Sequence, residues 1–259
     1  MSCKDIVKFI QRASALEYCH IFSLDEPWNG RSIDFDTVTL LPRLRSLRTS
    51  QEFRIEDILN VINVPSLEKW THNAMTPEHD CRAMISLIDR SNCILKVLDL
   101  GGWFPIGLHA LLRATPSLEH LTLRFRWQSQ NAAFMDDILT RMTPGGGATS
   151  ELFLPHLLYF ECGKDTSNIV TFSGRDTRDT VSPFTWDCVP QLYHQGRRRS
   201  LTLKAWARQS HISDKTALEL LQLVDAGVDL RILDWETKED LLEKFRNSKM
   251  EQVAGSPTP

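Results

Sequence analysis

A short pattern, Leu-x-x-φ-x-φ with φ apolar, recurs along the chain, and its spacing constrains the fold more than any other feature. The opening leucines are Leu16, Leu44, Leu67, Leu95, Leu118, Leu157 and Leu230. The copies read Leu16/Cys19/Ile21, Leu67/Trp70 with Thr71-His72 in the third place, Leu95/Leu98/Leu100, Leu118/Leu121/Leu123, Leu157/Phe160/Cys162 and Leu230/Leu233/Trp235. Leu44/Leu47 follows the pattern with Thr49 third, and Leu201/Leu203 is a half-match with Arg198 in the first place. From Leu16 to Leu118 the openers are spaced 28, 23, 28 and 23 residues apart, then 39 to Leu157. Self-similarity at such a period marks a stack of like units, because one short unit cannot cover its own apolar side.

What precedes each strand repeats too. Residues 107–123, GLHALLRATPSLEHLTL, lie over 5–21, DIVKFIQRASALEYCHI, without a gap. Leu108, Leu111 and Leu112 fall on Ile6, Phe9 and Ile10, the i, i+3, i+4 spacing of one helix face. Pro42, Pro65, Pro116 and Pro155 stand where a helix must stop. Each unit is therefore a short amphipathic helix, a turn and a short strand. The pattern predicts an α/β fold, an irregular leucine-rich-repeat-like solenoid with short parallel strands on the concave side and short helices on the convex side. The asparagine usual after the third apolar place is missing: Trp103 and Arg126 stand there in the two best copies. The turns must satisfy their backbone groups in another way.

The expected organisation is a repeat array over 1–162, an irregular insertion over 163–199, a C-terminal repeat with a capping helix over 200–250 and a flexible tail over 251–259. Between the best copies and Leu154, Ala132, Met135, Ile138, Leu139 and Met142 form a longer helix face that ends at Pro144 and a Gly-Gly-Gly loop. The insertion is dense in turn formers and charge, with Phe172, Phe184 and Trp186 as packing residues and Arg197-Arg198-Arg199 at its end. Beyond it, Ser213 or Asp214 caps a helix that turns Leu218, Leu220, Leu221 and Val224 inward and closes at Gly227. The last helix carries Leu241, Leu242 and Phe245, with Thr237 and Asp240 placed like a capping box.

On each strand the residues between the inward ones face the concave side. Tyr18, His20, Arg48, Lys69, Thr71, Asp99, His120, Thr122, Arg124, Tyr159, Glu161 and Lys204 are the candidate partner-binding residues, with Ser46, Val97 and Thr202 beside them. Their charges are mixed, so no single class of protein partner follows.

Composition closes off several alternatives. A net charge of −3 and a pI near 6.2 give no pull toward nucleic acid or an anionic membrane. No apolar run reaches the roughly 20 residues of a membrane span. Asp5, Lys8, Gln11 and Arg12 interrupt any signal-peptide core. The six cysteines are scattered with no Cys-x-x-Cys pair, which suits reduced thiols in the cytoplasm or nucleus. No Gly-x-Ser-x-Gly or Gly-x-Gly-x-x-Gly occurs. The spacing of His72, His79, Cys81 and Cys93 matches no standard zinc site. The expectation is a non-catalytic, monomeric interaction scaffold without cofactor or metal. The alternatives are an enzyme whose site lies in 163–199, built on Asp187, Cys188, His194 and the arginines Arg197, Arg198 and Arg199, and a repeat module of another signalling protein.

TPSLEHLTL, LPHLLYFEC, FTWDCVPQLYHQGRRRSLTLKAW and ISDKTALELLQLVDAGVDLRIL together resemble the C-terminal region of basidiomycete F-box proteins with degenerate leucine-rich repeats. That resemblance implies the substrate-recognition half of a ubiquitin-ligase adaptor, whose repeats hold an unidentified substrate protein. In that family an N-terminal F-box binds a Skp-type adaptor. No Leu-Pro-x-Glu-type opening is present here, and a repeat helix is already under way at Asp5. A Skp contact is therefore expected only if an F-box lies upstream. The expectation is a fragment, a truncated product or a stand-alone repeat domain.

Overall fold

A computed structural model describes residues 3–21, 38–51, 55–74, 80–102, 106–125, 128–143, 153–164, 186–196, 200–205, 212–234 and 237–254. The chain is a mixed α/β protein that divides into two compact units, residues 1–126 and 127–259. Among the described residues, no helix is long and apolar enough to cross a membrane.

The first unit runs α1 (Cys3–Arg12), β1 (Tyr18–Ile21), β2 (Thr39–Leu40), β3 (Ser46–Gln51), α2 (Ile55–Val61), β4 (Ile62–Asn63), β5 (Lys69–Ala74), α3 (Arg82–Ser91), β6 (Val97–Gly102), α4 (Leu108–Arg113) and β7 (His120–Phe125). Strands β1, β3, β5, β6 and β7 pair in chain order, all parallel. Their register sets inward positions of neighbouring strands side by side. Cys19, Leu47, Trp70, Leu98 and Leu121 form one row, and Ile21, Thr49, His72, Leu100 and Leu123 the next. Apart from the half-covered edge residue Cys19, both rows are buried, together with Ile58, Leu59, Met84, Leu87, Leu111 and Leu112 of the helices. Strand and helix apolar side chains are thus buried together in the core.

The prolines have a definite local role. The opener N–H bonds the carbonyl three residues back at Leu44 to Leu41 (3.3 Å), Leu67 to Val64 (3.0 Å) and Leu118 to Thr115 (3.2 Å). Pro42, Pro65 and Pro116 occupy the second turn position, where a fixed φ near −65° suits the bend. The residue before each proline, Leu41, Val64 or Thr115, is buried, as is the opener. A tight turn therefore delivers two anchors, three residues apart, into the core.

A backbone ladder links the turns that precede the strands; the places where the asparagine is missing, Trp103 and Arg126, lie outside the described residues. The carbonyl of Glu17 accepts from the N–H groups of Arg45 and Ser46, at 2.9 and 3.1 Å. Arg45 accepts likewise from Glu68 and Lys69, Glu68 from Lys96 and Val97, and Lys96 from Glu119 and His120, all at 2.8–3.0 Å. The Ser66 hydroxyl donates to the Pro42 carbonyl at 2.7 Å, and that of Ser117 to Leu95 at 2.8 Å. Each turn is thus tied to the preceding one through its backbone groups.

Two details of this unit depart from expectation. Phe9 of α1 is 61% exposed, and Ile10 is the residue that enters the core. The third places filled by Thr49 and His72 are buried polar ones. Trp70 Nε1 donates to Thr49 Oγ1 at 3.2 Å, and Thr49 Oγ1 lies 2.7 Å from His72 Nδ1. Hydrogen bonding between neighbouring copies lets polar residues occupy apolar rows.

The second unit runs α5 (Gln128–Met142), β8 (Tyr159–Lys164), a 3-10 segment (Pro190–Gly196), β9 (Ser200–Ala205), α6 (Asp214–Asp225), β10 (Asp229–Asp234) and α7 (Leu241–Ala254). β8, β9 and β10 are parallel neighbours. The Pro155 turn repeats the local rule, with Leu157 N–H on the Leu154 carbonyl at 3.3 Å. Met135, Ile138, Leu139 and Met142 of α5 are buried as expected, with Phe134 beside them; nothing is described of the Ala132 side chain.

The phase of the later repeats differs from the leucine pattern. Phe160 pairs with Leu203, so Leu201 and Leu203 stand two residues from their expected alignment. In β10 the buried residues are Leu230, Ile232 and Asp234, while Leu233 lies on the other face with Arg231. Leu230/Leu233/Trp235 is therefore not an inward set in this structure. LRILD offers apolar residues in both phases, and pairing of Leu230 with Leu201 selects one. In α6, Ser213 caps as expected, its hydroxyl accepting the Thr216 N–H at 3.1 Å. The buried face is Thr216, Ala217 and Leu220, and Leu218 is exposed. Gly227, at φ +92°, follows the helix end. α7 starts later than expected: the Asp240 carboxylate accepts from Leu242 N–H at 2.9 Å and from the Ile232 N–H of β10. Together with the Asp234 N–H to Glu239 carbonyl bond (2.9 Å), this covers the outer edge of the last strand.

Trp186, within the expected insertion, is fully buried. Phe172, Phe184, His79, Trp103, Arg126, Trp235, the Gly-Gly-Gly loop and Arg197–Arg199 lie outside the described residues.

Candidate functional site

The polar sides of the parallel strands are built by alternation. In the first unit, register places Tyr18, Ser46, Lys69, Val97 and His120 in one transverse row and His20, Arg48, Thr71, Asp99 and Thr122 in the next. Ser50, Asn73, Gly101 and Arg124 make a third. The structure thus brings nine candidates, Tyr18, His20, Arg48, Lys69, Thr71, Asp99, His120, Thr122 and Arg124, onto one continuous face. Ser50 and Asn73 join them unanticipated, although the same period of two that named the others extends to them.

Tyr18 is 70% exposed, and His20, Arg48, Lys69 and His120 are exposed as well. Asp99 and Arg124 neutralise each other: Arg124 Nη2 lies 2.6 and 2.5 Å from the two Asp99 carboxylate oxygens. Asp99 is the one acid in the three rows. Among the described residues neither Arg48 nor Lys69 has an ion-pair partner. His20, beside Arg48 in register, is held below its ordinary pKa by desolvation and then by the Arg48 charge. On the turns, Glu17, Arg45, Glu68, Lys96 and Glu119 alternate in sign, with Lys96 Nζ 3.9 Å from Glu119. The uncompensated positive charge therefore sits on the strands.

The second unit treats its charges differently. Tyr159 stands beside Thr202, and Glu161 beside Lys204. Glu161 is only 8% exposed, and Lys204 Nζ donates to its carboxylate at 2.9 Å. The Tyr159 hydroxyl donates to the same carboxylate oxygen. Lys238 lies close by, its pKa lowered by desolvation and then by Lys204. Glu161 is a buried partner of Lys204, so as an open contact residue it is corrected. Its partner is 43 residues away in sequence, which strand periodicity does not report.

For the catalytic alternative, the Asp187 carboxylate accepts from Thr216 Oγ1 at 2.5 Å, which fastens this segment to α6. The Cys188 thiol faces Asp136, with Sγ 3.9 Å from Oδ1, and its pKa is pushed up to about 11 by burial and then by the Asp136 charge. At neutral pH it is a protonated thiol, whereas a nucleophilic cysteine needs thiolate character. The His194 side chain lies outside the described residues.

No family model, curated protein or solved structure matches the chain.

Proposed function

We propose that this protein is a non-catalytic protein-binding scaffold, built as an irregular leucine-rich-repeat-like solenoid whose polar strand face holds its partner. One observation carries this reading: five neighbouring parallel strands keep a single register and present rows of mostly polar, exposed or half-buried residues opposite the buried layer. Such a face offers contact area on rigid strands, which suits recognition. The family resemblance extends the proposal. The repeats would serve as the substrate-recognition region of an F-box-type ubiquitin-ligase adaptor, with any Skp contact carried by an F-box outside this chain's repeats.

The test is site-specific photo-crosslinking in cells. A crosslinker at Thr71 or Thr122 should trap a defined protein, while one at Arg82, exposed on α3, should not. The trapped protein should accumulate when the chain is removed if the adaptor role holds. The same adducts from Arg82 as from Thr71 would overturn the face assignment. A partner whose abundance and ubiquitination ignore the chain would overturn the ligase role alone.

A further inference from the structure

The charge pattern of the first unit's strand face points to the chemistry of its occupant. We propose that this face takes an extended acidic segment of a protein, with carboxylates at alternate residues engaging Arg48 and Lys69. The inference rests on the protein-binding reading above and specifies its partner.

Three observations carry it. First, the chain as a whole is acidic at −3, yet the three strand rows hold Arg48, Lys69 and Arg124 against a single acid, Asp99. Asp99 is already consumed by Arg124. Second, Arg48 and Lys69 are exposed and lack an ion-pair partner among the described residues, so they are available to an incoming anion. Third, their placement fits an extended chain. Arg48 pairs with Thr71, so Lys69 lies one strand over and two residues back. Strands about 4.8 Å apart with a rise of about 3.3 Å per residue put their Cα atoms roughly 8 Å from each other. Carboxylates at i and i+2 of an extended peptide are about 7 Å apart, a match within side-chain reach.

The same face is a poor nucleic-acid site. Two open cations give a weak counterion-release term, and exposed Tyr18 alone offers no stacking track. Basic segments meet like charge at both positions. His20, next to Arg48, provides a built-in reporter: carboxylates arriving beside it favour the imidazolium and raise its titration midpoint.

The experiment uses the full chain and three synthetic peptides, acetyl-(Glu-Ser)5-amide and its Gln and Lys counterparts, with a ten-residue oligothymidylate as a fourth probe. Binding and the His20 titration are followed by NMR. The Glu peptide should bind at least tenfold tighter than the Gln peptide and raise the His20 midpoint. Arg48→Glu with Lys69→Glu should abolish that binding and confer binding of the Lys peptide. Both sites are exposed, so circular dichroism should show the fold intact. Equal binding of Glu and Gln peptides, both lost on the double reversal, would overturn the acidic partner while leaving a polypeptide-binding face. Tighter binding of the oligonucleotide on the same residues would overturn the proposal in favour of a nucleic-acid ligand. Binding that ignores the reversal, or no binding by any peptide, would also overturn it. The crosslinking experiment judges the scaffold role separately.

Discussion

The two units use one local rule and finish it differently. In both, a turn with proline in second place feeds an opening leucine and a parallel strand of alternating side chains. In the first unit the outward positions are exposed or half-buried, and the ion pair found on the strands among the described residues, Asp99–Arg124, is partly exposed. In the second unit the equivalent positions close on themselves: Tyr159 and Lys204, both half-buried, hydrogen-bond the buried carboxylate of Glu161. An outward place on a strand is therefore no guarantee of a binding residue. What decides is whether a neighbouring strand supplies the countercharge and cover.

This contrast can be broken by measurement, beginning with the buried pair. Glu161→Ala leaves Lys204 with a charge in a site where its side chain is only 13% exposed. Loss of one partner of a buried pair costs about 3–5 kcal/mol. Denaturant unfolding should show that loss, and Glu161→Leu with Lys204→Met should recover most of it. A change under about 1 kcal/mol for Glu161→Ala would mean that the pair is solvated, and the contrast would fail.

The register comes next. Leu121 of β7 is fully buried, so Leu121→Ala should cost about 2–5 kcal/mol. Leu233→Ala, on the outward phase of β10, should cost well under half as much. Equal penalties would restore the inward alignment of Leu233 and overturn the phase seen here.

Alkaline titration probes both units at once. Burial and then a neighbouring carboxylate raise Cys81 and Cys162 to about 12, and Cys188 to about 11, from an ordinary value of 9.0. Because the folded values lie above the unfolded one, the contribution is fully present below pH 9 and is lost progressively as pH rises from 9.0 to about 11 for Cys188 and about 12 for Cys81 and Cys162. Stability should fall across that window, and Cys162→Ala should make the fall shallower than in the parent chain. An unchanged slope would mean that Cys162 is accessible to solvent. Smallest of all, Asp99→Ala should cost no more than about 1 kcal/mol, since this pair is partly open to water. A cost matching that of Glu161→Ala would erase the distinction between the two faces.

Legibility in the sequence follows the same division. From β1 to β7 the alternation marks the first inward row, the turn prolines and nine face residues, while Thr49 and His72 break the apolar pattern of the second row. Later the signal is ambiguous. LRILDW carries apolar residues in both strand phases, and TALELLQLV offers more than one helix face. Phe9 and Leu218 show the limit on helices, where i, i+3, i+4 spacing defines a stripe but not which edge of it meets the core. The ladder of turn carbonyls has no sequence signature, because any residue can supply a backbone carbonyl.

By itself the sequence determined the helix–turn–strand unit, its recurrence and the parity of the strands, since these follow from local sterics and from apolar spacing at periods of 3.6 and 2. The tertiary structure alone decided the phase of β10, the pairing of Thr49 with His72, the burial of Glu161 against Lys204 and the cover that Asp240 gives the last strand. Each of these depends on which segment lies alongside. Hydrogen bonds and charge pairs form between neighbours in space, and chain spacing does not report their distance.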